Sequence, residues 1–276
     1  MAGRLRITVR YLAMHSTGPD DNVEANIAPV DEPYEIDLGA AALVLVDTWN
    51  RHTIRSHQEA TERVMRERIA PLLPAARSAG LPLIYAPSPD VARRYEQWRR
   101  RFGAPHRARA ADRPDGANAP PGPVDGARPW PPPELRQREG PYARYQRRPG
   151  ETWPGWDGRL PWDAIAESIE PAPDDCVVAT GQELHELLVE RRSLFIFYAG
   201  FATNICVLHR DYGILAMGAR GYLPILLRDC TVGIETRATL AGHLTTRLAI
   251  QDVERRYYSA DSQDLLDSCR AIVANR

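Results

Sequence analysis

The chain has 276 residues, of which 43% are hydrophobic, so it can bury one large core, or one core with a long insertion. Its formal net charge of -1 excludes a global electrostatic attraction to nucleic acid or to a membrane surface. All 35 residues counted as lysine plus arginine are arginine, which excludes any chemistry that requires a lysine of this chain.

Membrane and export signals are absent from the sequence pattern. No apolar run approaches the roughly 20 residues that cross a bilayer, and the N-terminal residues lack the apolar segment of a signal peptide. The four cysteines are then expected to be reduced thiols. We therefore expect a cytoplasmic protein with no membrane partner.

The first predicted elements are strands. Alternating residues in 5–11 and a short stretch at 34–36 predict edge strands or a small hairpin. The continuous apolar run at 41–46 predicts a strand buried on both faces, which is typical of a parallel sheet. Asp47 follows directly, at the carboxyl end of that strand, where open α/β sheets place their sites.

A strand–helix–strand unit follows. Residues 58–79 have helical periodicity, with kinks expected at Pro71 and Pro74 and a helix end at Gly80. Residues 81–86 predict the next strand, reached by a right-handed crossover.

Residues 88–160 differ in composition from the rest of the chain. Proline, glycine, arginine and tryptophan dominate, and apolar periodicity fades after a helical start at 91–102. Such a long stretch inside a domain is usually a lid, an oligomer arm or disordered, and its tryptophans argue for partial order. We predict a single domain over 1–276, with this insertion lying over the sheet or a neighbouring subunit.

The rest of the chain alternates helices and strands. Helices are predicted at 162–169, 182–190, 204–219, 236–253 and 261–274, and strands at 176–179, 194–198, 222–227 and 257–259. This alternation predicts an α/β fold with three α/β/α layers around a mostly parallel, doubly wound sheet of about six strands.

Cys206 stands out within this pattern. The apolar strand at 194–198 breaks at Ala199-Gly200, and a helical pattern carrying Cys206 follows. First-turn N–H groups of a helix favour a thiolate, so this arrangement suits a nucleophile. A lone cysteine is more often a buried structural residue, which is the competing interpretation.

Four stretches carry a family resemblance: ALVLVDTWN at 42–50, RIAPLLPAARSAGLPLIYAPS at 68–88, GFATNICV at 200–207 and GYLPILLRDC at 221–230. Together they resemble the isochorismatase-like cysteine hydrolases, which include nicotinamidases, N-carbamoylsarcosine amidase and ureidoacrylate amidohydrolases. The resemblance implies hydrolysis of a small amide, ureido or related C–N bond through a covalent thioester-type intermediate.

The resemblance also implies roles for individual residues. Cys206 would be the nucleophile, Asp47 the general base, and the backbone N–H groups of Ala202 and Cys206 the oxyanion hole. The peptide bond between Phe201 and Ala202 would be cis.

Four further residues are candidates for contact with the substrate. Phe201 and Thr203 would bind it from the nucleophile segment. Asn50 would form a turn or a hydrogen bond in the pocket, and His52 would lie at the pocket rim or on the surface, or contact the substrate.

The sequence departs from the family at its lysine. Ala179 or Thr180 occupies the lysine position of the family's Asp-Lys-Cys triad. An insertion arginine, Arg144, Arg147 or Arg148, could supply positive charge, but a guanidinium does not readily exchange a proton. Either an Asp–Cys dyad performs catalysis, or the chain is a non-hydrolytic binding or assembly protein with the same fold.

Metal, cofactor and partner expectations complete the analysis. The seven histidines have no metal-ligand spacing, so we expect no metal and no cofactor. The expected partners are a small-molecule substrate and further copies in a homo-oligomer, a dimer or tetramer, without nucleic acid. Ether hydrolysis of the isochorismatase type is a weaker alternative, because family members that perform it lack the cysteine.

Overall fold

A computed structural model describes residues 3–16, 21–103, 132–145 and 162–276. Contacts divide the chain into two units, residues 1–113 with 162–276 and residues 114–161. The strands described are β1 (Arg4–Leu12), β2 (Pro29–Asp37), β3 (Ala41–Val46), β4 (Leu83–Ala86), β5 (Cys176–Val177), β6 (Phe195–Phe201), β7 (Leu223–Val232) and β8 (Tyr258–Ala260). They form one sheet in the order β2-β1-β8-β7-β6-β3-β4-β5.

The helices of the described residues cover both sheet faces or belong to the second unit. They are α1 (Arg55–Val64), α2 (Ala70–Ala79), α3 (Pro89–Ala92), α4 (Glu96–Phe102), α5 (Pro133–Gln137), α6 (Gly181–Arg191), α7 (Ile214–Ala219), α8 (Leu244–Arg256) and α9 (Ser262–Ala274). A π-helical turn, Met65–Ile69, joins α1 to α2.

The centre of the sheet is parallel, as the sequence predicts. β3 pairs in parallel with β4 and β6, and β7 pairs in parallel with β6 and β8. Strand β3 is buried along its whole length. Leu43 and Leu45 enter one buried cluster and Val44 and Val46 the other, because successive side chains of a strand point to opposite faces. The three-layer α/β/α prediction is confirmed.

The predicted strand number is wrong, because the sheet has eight strands in the described residues rather than about six. The N-terminal strands β1 and β2 pair antiparallel, and β1 also pairs antiparallel with β8. Leu5, Ile7 and Val9 alternate with exposed residues and bury one face of β1. This apolar alternation lets the hairpin extend the sheet past β8 instead of standing apart.

The helix predicted at 162–169 is also wrong. The segment is extended, with a bridge between Trp49 and Ile165 and a 3-10 turn only at Glu167–Ile169. Its backbone bonds to the loop after β3: Asn50 N–H donates to Ala164 O, and Ala166 N–H donates to Thr48 O. These partners replace the hydrogen bonds that a helix would have made.

Two further predicted helices are shorter than expected. The cysteine segment is a π-helical turn, Thr203–Val207, and α7 begins only after Gly213. Helix α8 begins at Leu244, because Glu235 accepts hydrogen bonds from the N–H groups of Thr245 and Thr246 and so caps the helix there.

The predicted insertion is described only in part. Its first residues form α3 and α4 in the first unit, and in the second unit α5 is followed by a 3-10 turn, Gly140–Tyr145. Trp130, Trp153 and Trp156 lie outside the described residues.

Candidate active site

A glycine brings the ends of β3 and β6 together. Gly200 has a φ of 126°, and a Cβ added to it would lie 1.9 Å from the carbonyl oxygen of Val46. Only glycine permits this approach between the two backbones. Asp47 follows β3, and the turn with Cys206 follows β6, so the two side chains meet at the carboxyl edge of the sheet.

Asp47 lies in an unusual backbone conformation at this edge. Its φ is 45°, in the left-handed region that non-glycine residues seldom adopt and that is enriched at functional sites. Its side chain is fully buried, and its carboxylate accepts a hydrogen bond from Ser88 Oγ at 3.1 Å and lies near the thiol of Cys206. Burial raises the pKa of Asp47, although the positive charge of Arg210 opposes this shift. The raised pKa makes the carboxylate a stronger base.

Cys206 lies beside this carboxylate as a neutral thiol. Burial and the negative charge of Asp47 raise the pKa of Cys206 to about 12. Arg210 and a backbone hydrogen bond from Ala202 act in the opposite direction. The peptide bond between Phe201 and Ala202 is cis, as the family resemblance implies.

A guanidinium completes the cluster, and it comes from Arg210. Its Nε lies 3.1 Å from Oδ2 of Asp47, and its Nη2 donates to Ser88 Oγ at 3.2 Å. Burial alone would lower the pKa of Arg210, but Asp47 outweighs it and the pKa is raised. Arg210 is therefore a permanent cation in contact with the predicted general base.

The segment with Arg210 packs against residues 179–181, the stretch where the resemblance would place a lysine. Ala179 N–H donates to the Glu183 carboxylate at 2.6 Å, and the Thr180 side chain caps α6. The next residue, Gly181, donates its N–H to Asp211 Oδ2 at 2.6 Å. A Cβ on Gly181 would lie 2.0 Å from Asp211 O, so the two backbones touch. The cation thus reaches the site from a neighbouring segment.

For the insertion arginines, a role in supplying this charge stays a prediction. Arg144 lies in the second unit, where its guanidinium stacks on the ring of Tyr145 at 4.8 Å. Arg147 and Arg148 lie outside the described residues.

Comparison with known structures supports the assignment of the chain to the three-layer α/β/α fold. No family model and no curated protein matches the sequence. Among solved structures, a cysteine hydrolase from Pseudomonas syringae pv. phaseolicola is similar, with a TM-score of 0.51 and 16% identity over 86% of this chain and 95% of that chain. The chain has the isochorismatase-like α/β fold.

Two isochorismatase family proteins are also similar in structure. An isochorismatase family protein from Burkholderia thailandensis has a TM-score of 0.45 and 19% identity over 84% of this chain and 96% of its own. One from Desulfovibrio vulgaris has a TM-score of 0.46 and 16% identity, covering 86% and 99%.

Asn50 and His52 follow Asp47 in the loop after β3. Asn50 binds the 162–166 segment: its Nδ2 donates to Asp163 Oδ1 at 2.7 Å, and its Oδ1 accepts from Ala164 N–H. His52 stacks on Trp162, with ring centroids 5.5 Å apart, and burial lowers the pKa of His52. For both residues, contact with a substrate stays a prediction.

Phe201 and Thr203 are fully buried. Thr231 Oγ1 donates to Gly200 O at 2.8 Å, so the hydroxyl of Thr203, 2.7 Å from Thr231 Oγ1, is the donor of that pair. These bonds hold the chain just before Cys206, and a role in binding substrate stays a prediction for both residues.

Arg210 and Ser88 were missed by the sequence reasoning. The spacing of Cys206 and Arg210, i and i+4, was the available signal, because such residues share one face of a helical turn. Ser88 follows β4 in one of the stretches that resemble the family, but a serine after a strand has no distinctive pattern. Tyr212 fixes the same corner by donating to Pro87 O at 3.0 Å.

Within the described ranges, no group of three or more His, Cys, Asp and Glu side chains could hold a metal ion. None of the helices described is long and apolar enough to cross a membrane.

Proposed function

We propose that this chain is a cysteine-dependent hydrolase of a small amide, ureido or related C–N bond. Cys206 attacks the carbonyl carbon while its proton passes to Asp47, and the carbonyl electrons move to the oxygen. The N–H groups of Ala202 and Cys206 stabilise this oxyanion. The intermediate collapses to a thioester, and the leaving nitrogen takes the proton from Asp47. Asp47 then takes a proton from water, whose oxygen attacks the thioester, and the released thiolate regains that proton.

The observation that carries this proposal is the ion pair between Arg210 and Asp47 beside Cys206. A cation at this point keeps the buried carboxylate ionised, so that it can accept the thiol proton. The guanidinium does not exchange protons itself, because its pKa stays above about 12. The proton therefore travels between Cys206, Asp47 and the substrate, as in an Asp–Cys dyad with a fixed positive charge.

Mass spectrometry tests the covalent step. The protein is mixed with a panel of small primary amides and ureido compounds, acid-quenched, and examined for an acyl adduct on Cys206. We expect an adduct and release of ammonia or amine, both abolished in Cys206→Ala. Cys269→Ala is the matched control, because Cys269 is a buried thiol on α9. A Cys206→Ala protein with full activity on a substrate found in this way would refute the proposal.

A second candidate is a non-hydrolytic small-molecule binding protein. The observation that favours it is the burial of Cys206 beside the Asp47 carboxylate, which raises the pKa of the thiol and disfavours the thiolate at neutral pH. Saturable binding of a panel compound without turnover, equal in wild type and Cys206→Ala, would support this candidate.

A homo-oligomer in the cytoplasm is proposed for either function, with light scattering as the test of its size.

A further inference from the structure

An apolar cleft lies beside the segment with Cys206. It has a volume of about 220 Å³ and lies between the start of α1 and the segment after β7. Ile54, Ala60, Val232 and Leu240 contribute apolar walls. Ile54 and Leu240 are 41% and 55% exposed, so their apolar surface is open to a ligand. The volume equals about seven molecules of liquid water, enough for a small alkyl or aryl group.

The ionisable groups of the inner lining are a neutral histidine and a carboxylate that is held by hydrogen bonds. His57 is buried, and burial together with His52 lowers the pKa of His57 to about 4, so its ring is neutral at pH 7. The Glu235 carboxylate accepts hydrogen bonds from both backbone N–H groups at the start of α8 and from the hydroxyl of Thr246. The other two ionisable lining residues, Arg237 and His243, are exposed.

The cleft is joined to the cysteine turn by hydrogen bonds. Ile234 N–H, in the cleft wall, donates to Oδ1 of Asn204 at 2.8 Å, and Asn204 lies in the same π-helical turn as Cys206. Val232, another wall residue, is the β-sheet partner of Phe201. The cleft wall is therefore bonded to the strand and to the turn that position Cys206.

We propose that this cleft binds an uncharged alkyl or aryl group of the substrate, and so selects apolar amides over charged ones. The inference rests on the proposed function for the identity of the substrate. The binding of the apolar group itself does not depend on catalysis, so it can be measured without turnover.

The test uses Cys206→Ala protein and two probes, para-methylbenzamide and para-carboxybenzamide, titrated by calorimetry or ligand-observed NMR. We expect saturable binding of the methyl compound and binding of the charged compound weaker by about tenfold or more. Ala60→Leu fills the cleft and should weaken the methyl compound by a similar factor. Ala75→Leu, a partly buried alanine on α2 in a separate depression, is the matched control and should change nothing.

A thermal unfolding midpoint equal to that of the parent protein shows that Ala60→Leu folds. If it does not, Leu240→Glu, a change at an exposed side chain, makes the same comparison. Equal binding of the two probes, equal affinity in parent and cleft variants, or no saturable binding would overturn the inference. Hydrolysis with unaltered selectivity in the cleft variants would refute only the cleft. Cleft binding without any turnover would refute only the proposed hydrolase.

Discussion

The Nε of Arg210 lies 3.1 Å from Oδ2 of Asp47, and Ser88 Oγ contacts both side chains. This ion pair places a positive charge beside Cys206 in a chain that has no lysine. Lysine and arginine differ here in one chemical respect: an ammonium can be deprotonated in a buried site, whereas a guanidinium stays charged. The expected consequences concern stability, thiol reactivity and pH dependence.

Removing the guanidinium should destabilise the protein. Arg210→Met leaves the fully buried Asp47 carboxylate without its cation, and we expect a loss of about 2 kcal/mol at pH 7 because one third of Arg210 remains exposed to solvent. Hydrolysis should fall by about a hundredfold. Arg210→Lys keeps the charge, so it should retain more stability and more hydrolytic activity than Arg210→Met. Urea unfolding and product release measure the two effects.

A control and a double variant make this test specific to the ion pair. Arg220→Met removes an exposed arginine that bonds Gln182 and should change stability by less than about 0.5 kcal/mol. Asp47→Asn combined with Arg210→Met should be more stable than Arg210→Met alone, because no unpaired charge remains buried. Equal stability of Arg210→Met and wild type would contradict a structural role for the pair.

Alkylation of Cys206 should be slow at neutral pH. Its pKa, raised to about 12 by burial and by Asp47, leaves a far smaller thiolate fraction than the usual cysteine pKa of about 8.5. The iodoacetamide rate should therefore rise with pH without a plateau below about pH 10. Asp47→Asn removes the nearby negative charge and should increase the rate at pH 7. A plateau near pH 8 in wild type would show an ordinary thiol instead.

The pH–rate profile of any hydrolysis should have an acidic limb set by Asp47. Activity requires the carboxylate, so it should rise as Asp47 loses its proton, at a pH above the usual 3.8 because burial raises the pKa of this carboxyl. No basic limb from a deprotonating triad lysine is expected, since the cation is Arg210. A profile that falls between about pH 8 and pH 10 would point to another titrating group.

The same raised pKa affects stability with a definite sign. A carboxyl whose folded pKa exceeds its unfolded pKa contributes stability that is fully present below the unfolded value. That contribution is lost as the pH rises through the folded value. Asp47→Asn should therefore flatten this part of the stability curve, as measured by urea unfolding from pH 3 upward.

The sequence predicts the central strands and the meeting of Asp47 with Cys206, because uniform apolar runs and strand ends are local signals. The cation was missed because the expected helix at 204–219 is interrupted, and no pattern shows which way the side chain of Arg210 points. The extended segment at 162–166 was missed for a related reason: its backbone partners lie at Thr48 and Asn50, far away in sequence. Contacts of this kind override local periodicity.

Glu235 gives a prediction about the cap of α8. Burial alone would raise the pKa of Glu235, but hydrogen bonds from Thr246, Thr239 and Thr245 lower it to about 2. Glu235→Gln should cost about 1 kcal/mol at pH 7, since the helix start loses its anionic acceptor. The pKa of Glu235 in the folded protein lies below its usual value of 4.5. The stabilisation is therefore fully present above about pH 4.5 and is lost as the pH falls through about 2. The difference between wild type and variant should shrink across that window in urea titrations.

Gly200 gives the sharpest structural prediction, because the site depends on how closely β6 approaches β3. In Gly200→Ala the new Cβ would lie 1.9 Å from Val46 O, so one strand must move. We expect a loss of about 4 kcal/mol, together with loss of any activity of Cys206. Gly221→Ala is the matched control: its φ is also positive, at 94°, but nothing lies within 4 Å of its Cβ position, so only backbone strain of about 1 kcal/mol is added. Similar unfolding free energies for the two variants would show that strain alone, and not the contact with Val46, requires glycine at position 200.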